Sequence, residues 1–245
     1  MAEGSSGTAP ALTVVIPAYD EEANVEPCYQ ELVSVLEAHG QPFEVVFVDD
    51  GSTDGTGSVL RRLARADARV RVLRLRRNAG QTAALDAGFR AARGAIVVTM
   101  DADLQNDPHD IPKLLAALPG QDAVCGWRVD RHDPWTKRFA SRVANAVRDR
   151  VTRDGVHDTG CTLKAFRREA LQELHLYRGM HRFLPALLQM EGRRVTEVPV
   201  AHRARRAGLS KYGNWRRLWS GLADLWAVRW MARRRLDYQI EEDGR

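Results

Sequence analysis

Cysteine is scarce in this chain, and long apolar runs are missing altogether. The three cysteines, Cys28, Cys125 and Cys161, are odd in number and far apart, with no CxxC pair. That argues against both a zinc site and a disulfide framework and suits a reducing cytosol. No apolar stretch reaches the roughly 20 residues that a membrane-spanning helix needs. The opening MAEGSSGTAP has no basic segment and no apolar core, so it reads as a disordered lead-in, residues 1–10, rather than a signal peptide. No GxGxxG follows the first apolar run, which disfavours a dinucleotide dehydrogenase. No acid falls between Glu197 and Asp224, a stretch that holds Arg203, Arg205, Arg206, Lys211, Arg216 and Arg217.

The chain is long enough, at 245 residues, for one large α/β domain with an appendage. Its net charge of +5 admits anionic partners such as phosphates or a membrane surface. Short apolar runs alternate with helical patterns: strands at 12–16, 43–48, 70–75, 95–100 and 122–125, and helices at 21–39, 53–66, 80–93 and 108–118. Such alternation predicts a mostly parallel sheet with helices on both faces. Past Gly126 the pattern loosens. A long basic helix is expected over 133–151, a strand crossing back at 161–166, and helices near 168–174 and 181–190. A strand at 195–200 and a helix at 214–235 follow, then a polar tail, 236–245.

The sharpest motif is VVTMDADLQNDP, residues 97–108. A buried parallel strand ends here in Asp101 and Asp103, with Gln105 beside them, and ligands of open α/β sheets bind beyond such strand ends. Carboxylate and amide oxygens suit Mg²⁺ or Mn²⁺. Asp107-Pro108 is more simply a helix cap followed by proline at the first helical position. Two other strand ends carry related features. VIPAYDEE offers Pro17, Tyr19 and Glu21 on a loop; FVDDGSTDGT puts Asp50 where it can reach a ribose or a base, or else close an Asx turn. Lys137 and Ser141 stand one helical turn apart beside Arg138 and can face one anion, although a solvated basic face would explain them too. Gly208 and Gly213 flank a donor-rich loop able to close over a polyphosphate. On the last helix Trp215, Trp219, Trp226 and Trp230 fall within about 60° of one another, flanked by arginines, a pattern that fits a membrane interface or a packing surface.

Taken together and in this order, VIPAYDEEAN, VFVDDGSTDGT, MDADLQNDP and HRARRAGLSKYG resemble the inverting GT-A glycosyltransferases of family 2, of the dolichyl- or polyprenyl-phosphate mannose or glucose synthase type. The resemblance runs from about Leu12 to Gly213. It implies a Rossmann-like GT-A domain over 11–213, with 214–235 as an appended amphipathic helix. It implies Asp101, Asp103 and Gln105 as metal ligands. Pro17, Tyr19, Glu21, Val48, Asp50, Asp101, Ala102 and Asp103 would line the nucleotide sugar, GDP-mannose first and UDP-glucose second, with Arg128, Arg205 and Lys211 around its diphosphate. Arg128, Lys137, Arg138 and Ser141 would receive the lipid phosphate. Asp101, Asp103, Arg128 and Arg205 are then the expected catalytic residues. A phosphate acceptor is already an anion, so the reaction needs no general base. Many relatives carry transmembrane helices after this domain, so the Trp-striped helix is expected either to lie on the membrane, at its cytoplasmic face, or to dock on a membrane-anchoring subunit.

Two rivals stand beside this reading. A transferase acting on a polysaccharide or protein hydroxyl needs a base, for which Asp130, Asp133 and Asp158 are candidates. A basic nucleic-acid-binding protein would account for the arginines, but Asp49, Asp50, Asp101 and Asp103 would repel its ligand, so no nucleic-acid partner is expected.

Overall fold

In a computed structural model, residues 9–129, 155–203 and 214–235 are described, the side chains of 214–222 excepted. They build a seven-stranded sheet of order β3-β2-β1-β4-β6-β5-β7. The strands are β1 Leu12–Ala18, β2 Phe43–Asp49, β3 Val70–Arg74, β4 Ile96–Thr99, β5 Ala123–Arg128, β6 Lys164–Arg167 and β7 Val195–Val200. All run one way except β6, which is antiparallel to both β4 and β5 and is the strand expected to cross back. The C-terminal ends of β1, β2, β4, β5 and β7 therefore share one edge with the start of β6.

The helices are α1 Glu22–His39, α2 Thr56–Ala66, α3 Gln81–Ala91, α4 Ile111–Ala117, α5 Arg168–Gln172, α6 Leu184–Met190 and α7 Asn214–Arg234. Two expected helices are split, for one reason. The 108–118 segment opens with a 3-10 turn, Pro108–Asp110, before α4; the 181–190 segment opens with Met180–Phe183 before α6. In each case a proline, Pro112 or Pro185, stands in the first turn of the α-helix. It lacks the N–H that would continue the preceding turn, yet it fits a helix start well. Asp107 caps the first of these turns by accepting from the His109 amide at 2.9 Å. The expected helix over 133–151 lies outside the described residues.

The strands β1 and β2 are buried along nearly their whole length, because helices cover both faces. Ile16, Val45 and Phe47 pack under α1, α2 and α4, while Val15, Val46 and Val48 pack under α3 and α6. The Ala-rich α3 sits close to the sheet: a Cβ on Gly88 would lie 2.2 Å from Val15 Cγ1. The last helix, α7, rests on this second layer through Leu225 and Val228, with Met231 at its margin. Trp226 and Trp230 of the same helix are 70% and 52% exposed. All three cysteines are buried, and burial pushes the Cys28 thiol up to about 12. None of the described helices is long and apolar enough to cross a membrane.

Candidate functional site

The shared strand edge opens into a cavity of about 500 Å³. Its walls include Pro17 from β1, Asp101, Asp103 and Gln105 from the loop after β4, Arg128 from the end of β5 and Lys164 from the start of β6. Gln81 of α3 and the His181–Arg182 turn close one side. Five residues singled out from the sequence thus meet in one place: Pro17, Asp101, Asp103, Gln105 and Arg128.

Side chains that had drawn no notice hold the acidic loop in shape. The Asp101 carboxylate accepts from Gln81 Nε2 at 2.9 Å and from Thr162 Oγ1 at 3.0 Å. Its amide donates to Asn106 Oδ1 at 2.9 Å, and Thr162 Oγ1 also reaches that oxygen. Asp103 Oδ1 accepts from the Gln105 amide at 3.1 Å, a tight turn that puts Leu104 at φ 62°. Burial, followed by the nearby Asp103 charge, raises the Asp101 carboxyl to about 6. Arg128 and Lys164 offset only part of this, so two crowded carboxylates of this kind favour a further cation, and hard oxygen donors fit Mg²⁺ or Mn²⁺. The Gln105 amide nitrogen faces the Arg203 carbonyl at 3.5 Å, which leaves its carbonyl oxygen as the atom for a cation.

Arg128 is the cationic counterpart. Its guanidinium grips Asp158 with two bonds, 2.6 Å and 2.9 Å, and the two side chains are only 14% and 8% exposed. Asp158 is fixed in turn, its amide bonding Glu197 at 3.2 Å. Lys164, 3% exposed, donates to the carbonyls of Thr159 and Cys161. The segment Asp158–Lys164 thus supports three cavity groups at once: Arg128, Asp101 and its own lysine.

The remaining nucleotide candidates sit around the cavity rather than on its walls. Asp50 spends both oxygens on the amides of Ala79 and Gly80, at 2.7 and 2.9 Å, where α3 begins. It closes no Asx turn; the loop is held instead by Asp49, which accepts from the Ser52 amide, three residues on, at 2.8 Å. Gly51, at φ 73°, lets this loop press on the Arg77 backbone, where a Cβ would lie 2.5 Å from a carbonyl carbon. Glu21 precedes α1 and accepts from Asn24 at 2.6 Å. Tyr19 stands on the same loop, half-buried, whereas Val48 and Ala102 are core residues. Lys137, Arg138, Ser141, Arg205 and Lys211 lie outside the described residues, as do Asp130 and Asp133.

Glu31, Asp107 and His109 form a cluster of metal-ligand type that does not line the cavity. Arg203 already bridges it, 2.6 Å from Glu31 and 2.7 Å from Asp107, so it is an ion-pair knot that fastens the chain just before the basic loop. The sequence carried a signal for Lys164, since a lysine inside an apolar strand pattern needs a reason to be there. Gln81 and Thr162 left no such mark.

Known proteins resemble the chain in both sequence and shape. Dodecaprenyl-phosphate galacturonate synthase of Rhizobium johnstonii is 39% identical over 208 residues, covering 82% of this chain and 62% of that protein. Undecaprenyl-phosphate 4-deoxy-4-formamido-L-arabinose transferase of Edwardsiella ictaluri is 40% identical over 204 residues, covering 82% of this chain and 63% of that protein. The chain therefore spans less than two thirds of the length of these relatives. Among solved structures, a mannosyltransferase of Pyrobaculum calidifontis in complex with GDP-mannose and Mn²⁺ superposes with a TM-score of 0.64 at 26% identity, covering 89% of this chain and 64% of that one. Glucosyl-3-phosphoglycerate synthase of Mycobacterium tuberculosis, at 23% identity and a TM-score of 0.67, covers 93% and 80% and shares the fold. Residues 13–175 match the profile described as glycosyl transferase family 2, and the chain belongs to that family.

Proposed function

We propose that the chain transfers a sugar from a nucleotide sugar to a polyprenyl phosphate, with inversion at the anomeric carbon and dependence on a divalent cation. The observation that carries this reading is the meeting of Asp101 and Asp103 with Arg128 and Lys164 in one cavity at the strand edge. Acids and bases brought so close serve a ligand that is itself a metal-bound phosphate ester. Asp101, Asp103 and Gln105 would hold the cation. Bound there, Mg²⁺ or Mn²⁺ supplies Lewis-acid neutralisation of the departing diphosphate.

The chain's own groups do the positioning. Gln81 and Thr162 fix the Asp101 carboxylate, and Asp158 fixes the Arg128 guanidinium, so neither has to reorganise as charge develops. Arg205 and Lys211 of the basic loop complete the diphosphate site, and Lys137, Arg138 and Ser141 receive the acceptor phosphate. Asp158 bears on the rival hydroxyl-acceptor reading. As a base it would have to give up both bonds to a buried arginine. A phosphate oxygen, anionic at neutral pH, asks for no such group.

The donor sugar is read more broadly than mannose, because the similar curated proteins are named for galacturonate and 4-deoxy-4-formamido-L-arabinose. The exposed Trp226 and Trp230, with Arg229, Arg233 and Arg234 on the same helix, support attachment at a membrane surface, where the acceptor resides. The test is purified protein with Mg²⁺ or Mn²⁺, undecaprenyl phosphate and a panel of nucleotide sugars, with product stereochemistry read by NMR. Inverted product supports the reading; retained configuration, or turnover that persists in EDTA, overturns it.

A further inference from the structure

Lys164 is a charged side chain that the fold has buried with no ion pair among the described residues, although its charge acts on the Asp101 carboxylate of the same cavity at longer range. No carboxylate comes within 4 Å of its nitrogen among the described residues, and its bonds go to two backbone carbonyls, of Thr159 and Cys161. Those partners are neutral. Burying an ammonium is costly unless an opposite charge meets it, and neutral acceptors offset only part of that cost. An ammonium also has three donors, of which the carbonyls take two. The side chain forms part of the cavity wall, at the strand register that pairs Lys164 with Thr99, two residues before Asp101.

The neighbouring cation makes a contrast. Arg128 already has its carboxylate, held by two bonds to Asp158. Of the two, Lys164 makes no direct ion pair among the described residues, and the carboxylate its charge does act on, Asp101, is one that would hold the cation. An aliphatic residue would fill this buried strand position at lower cost, so packing does not account for the lysine. The geometry points to the Lys164 ammonium as a direct ligand of a substrate phosphoryl oxygen. This role rests on the transfer reading above and gives it a residue that neither motif nor spacing had marked.

The phosphoryl group could belong to the donor's diphosphate or to the acceptor's phosphate, and two probes separate them. Lys164→Met keeps the length and removes the charge; Lys164→Arg keeps the charge. Binding of inorganic pyrophosphate with Mg²⁺ is measured by calorimetry, and the KM for farnesyl phosphate is measured in the transfer assay, with thermal midpoints as the control for folding. Loss of a charge-assisted bond should weaken one probe in Lys164→Met on the order of 10- to 100-fold, with substantial recovery in Lys164→Arg. Weakened pyrophosphate binding assigns the lysine to the donor; a raised farnesyl phosphate KM alone assigns it to the acceptor. A folded Lys164→Met protein that matches wild type in both overturns the inference. If that variant does not fold, the wild-type ammonium resonance decides. The chain has four lysines, and the signal lost in Lys164→Arg should move when pyrophosphate or farnesyl phosphate is added beyond Mg²⁺ alone; no movement with either rejects the role. Wild type that binds pyrophosphate through Lys164 yet transfers no sugar would instead defeat the transfer reading and leave this one standing.

Discussion

Asp103 and Asp158 are both acids at the cavity, but they do different work. Asp103 accepts from the Gln105 amide within its own loop and is placed to hold a cation. Asp103→Ala should lower transfer by about 100- to 1000-fold with little change in thermal midpoint; transfer at the wild-type rate would remove it from the metal site. Asp158 neutralises a buried arginine, so Asp158→Ala strands that charge and should cost about 3 kcal/mol of stability, read from urea unfolding. A third acid sets a pH limit far from the cavity. The hydrogen bonds from Arg69 hold Asp67 at about 2 instead of its ordinary 3.8. Its folded form thus binds a proton more weakly than its unfolded form. The resulting stability is present above about pH 4 and lost as pH falls toward 2. Because the pair is near the surface, about 1–2 kcal/mol is expected, and Asp67→Asn should flatten that part of the acid-unfolding curve.

Among the elements, α3 and the Asp158–Lys164 segment decide most of the site. Helix α3 brings Gln81 to Asp101, and it does so only because Gly88 lets it lie against Val15. Gly88→Ala would gain about 1 kcal/mol of helix propensity, but overpacking costs about 1–3 kcal/mol. Net destabilisation, together with weaker transfer, is the expected result in thermal melts and turnover assays. A rise in midpoint with full activity would show that the helix can shift freely. The alternation of strands and helices was legible up to β5, where burial on both faces of β1, β2 and β4 leaves continuous apolar runs. Helix starts were less legible: Pro112 and Pro185 each divided a single apolar pattern into a 3-10 turn and a helix.

At the scale of the whole molecule, the exposed side of α7 carries Trp226 and Trp230 with arginines beside them in the sequence. Arg234 lies over the Trp230 ring at 5.9 Å. Because Leu225 and Val228 seat the helix on the core, replacing both tryptophans by serine should leave the thermal midpoint within a few degrees. It should also release the protein from vesicles containing anionic lipid, measured by co-sedimentation. Undiminished vesicle binding would remove α7 as the point of attachment.

The sequence by itself determined the parallel α/β order, the returning strand around Phe166, and the acids after the end of β4, since each depends on local pattern: apolar runs, turn residues and a strand's abrupt end. It also carried the family, through motifs that keep their order along the chain. Only tertiary structure decided which charges have partners. Asp50 turned out to anchor the start of α3, Arg128 to be held by Asp158 from 30 residues away, and Lys164 to reach the cavity with no ion pair among the described residues. Those outcomes depend on which strands become neighbours in the sheet, and spacing along a chain does not encode the distance across it.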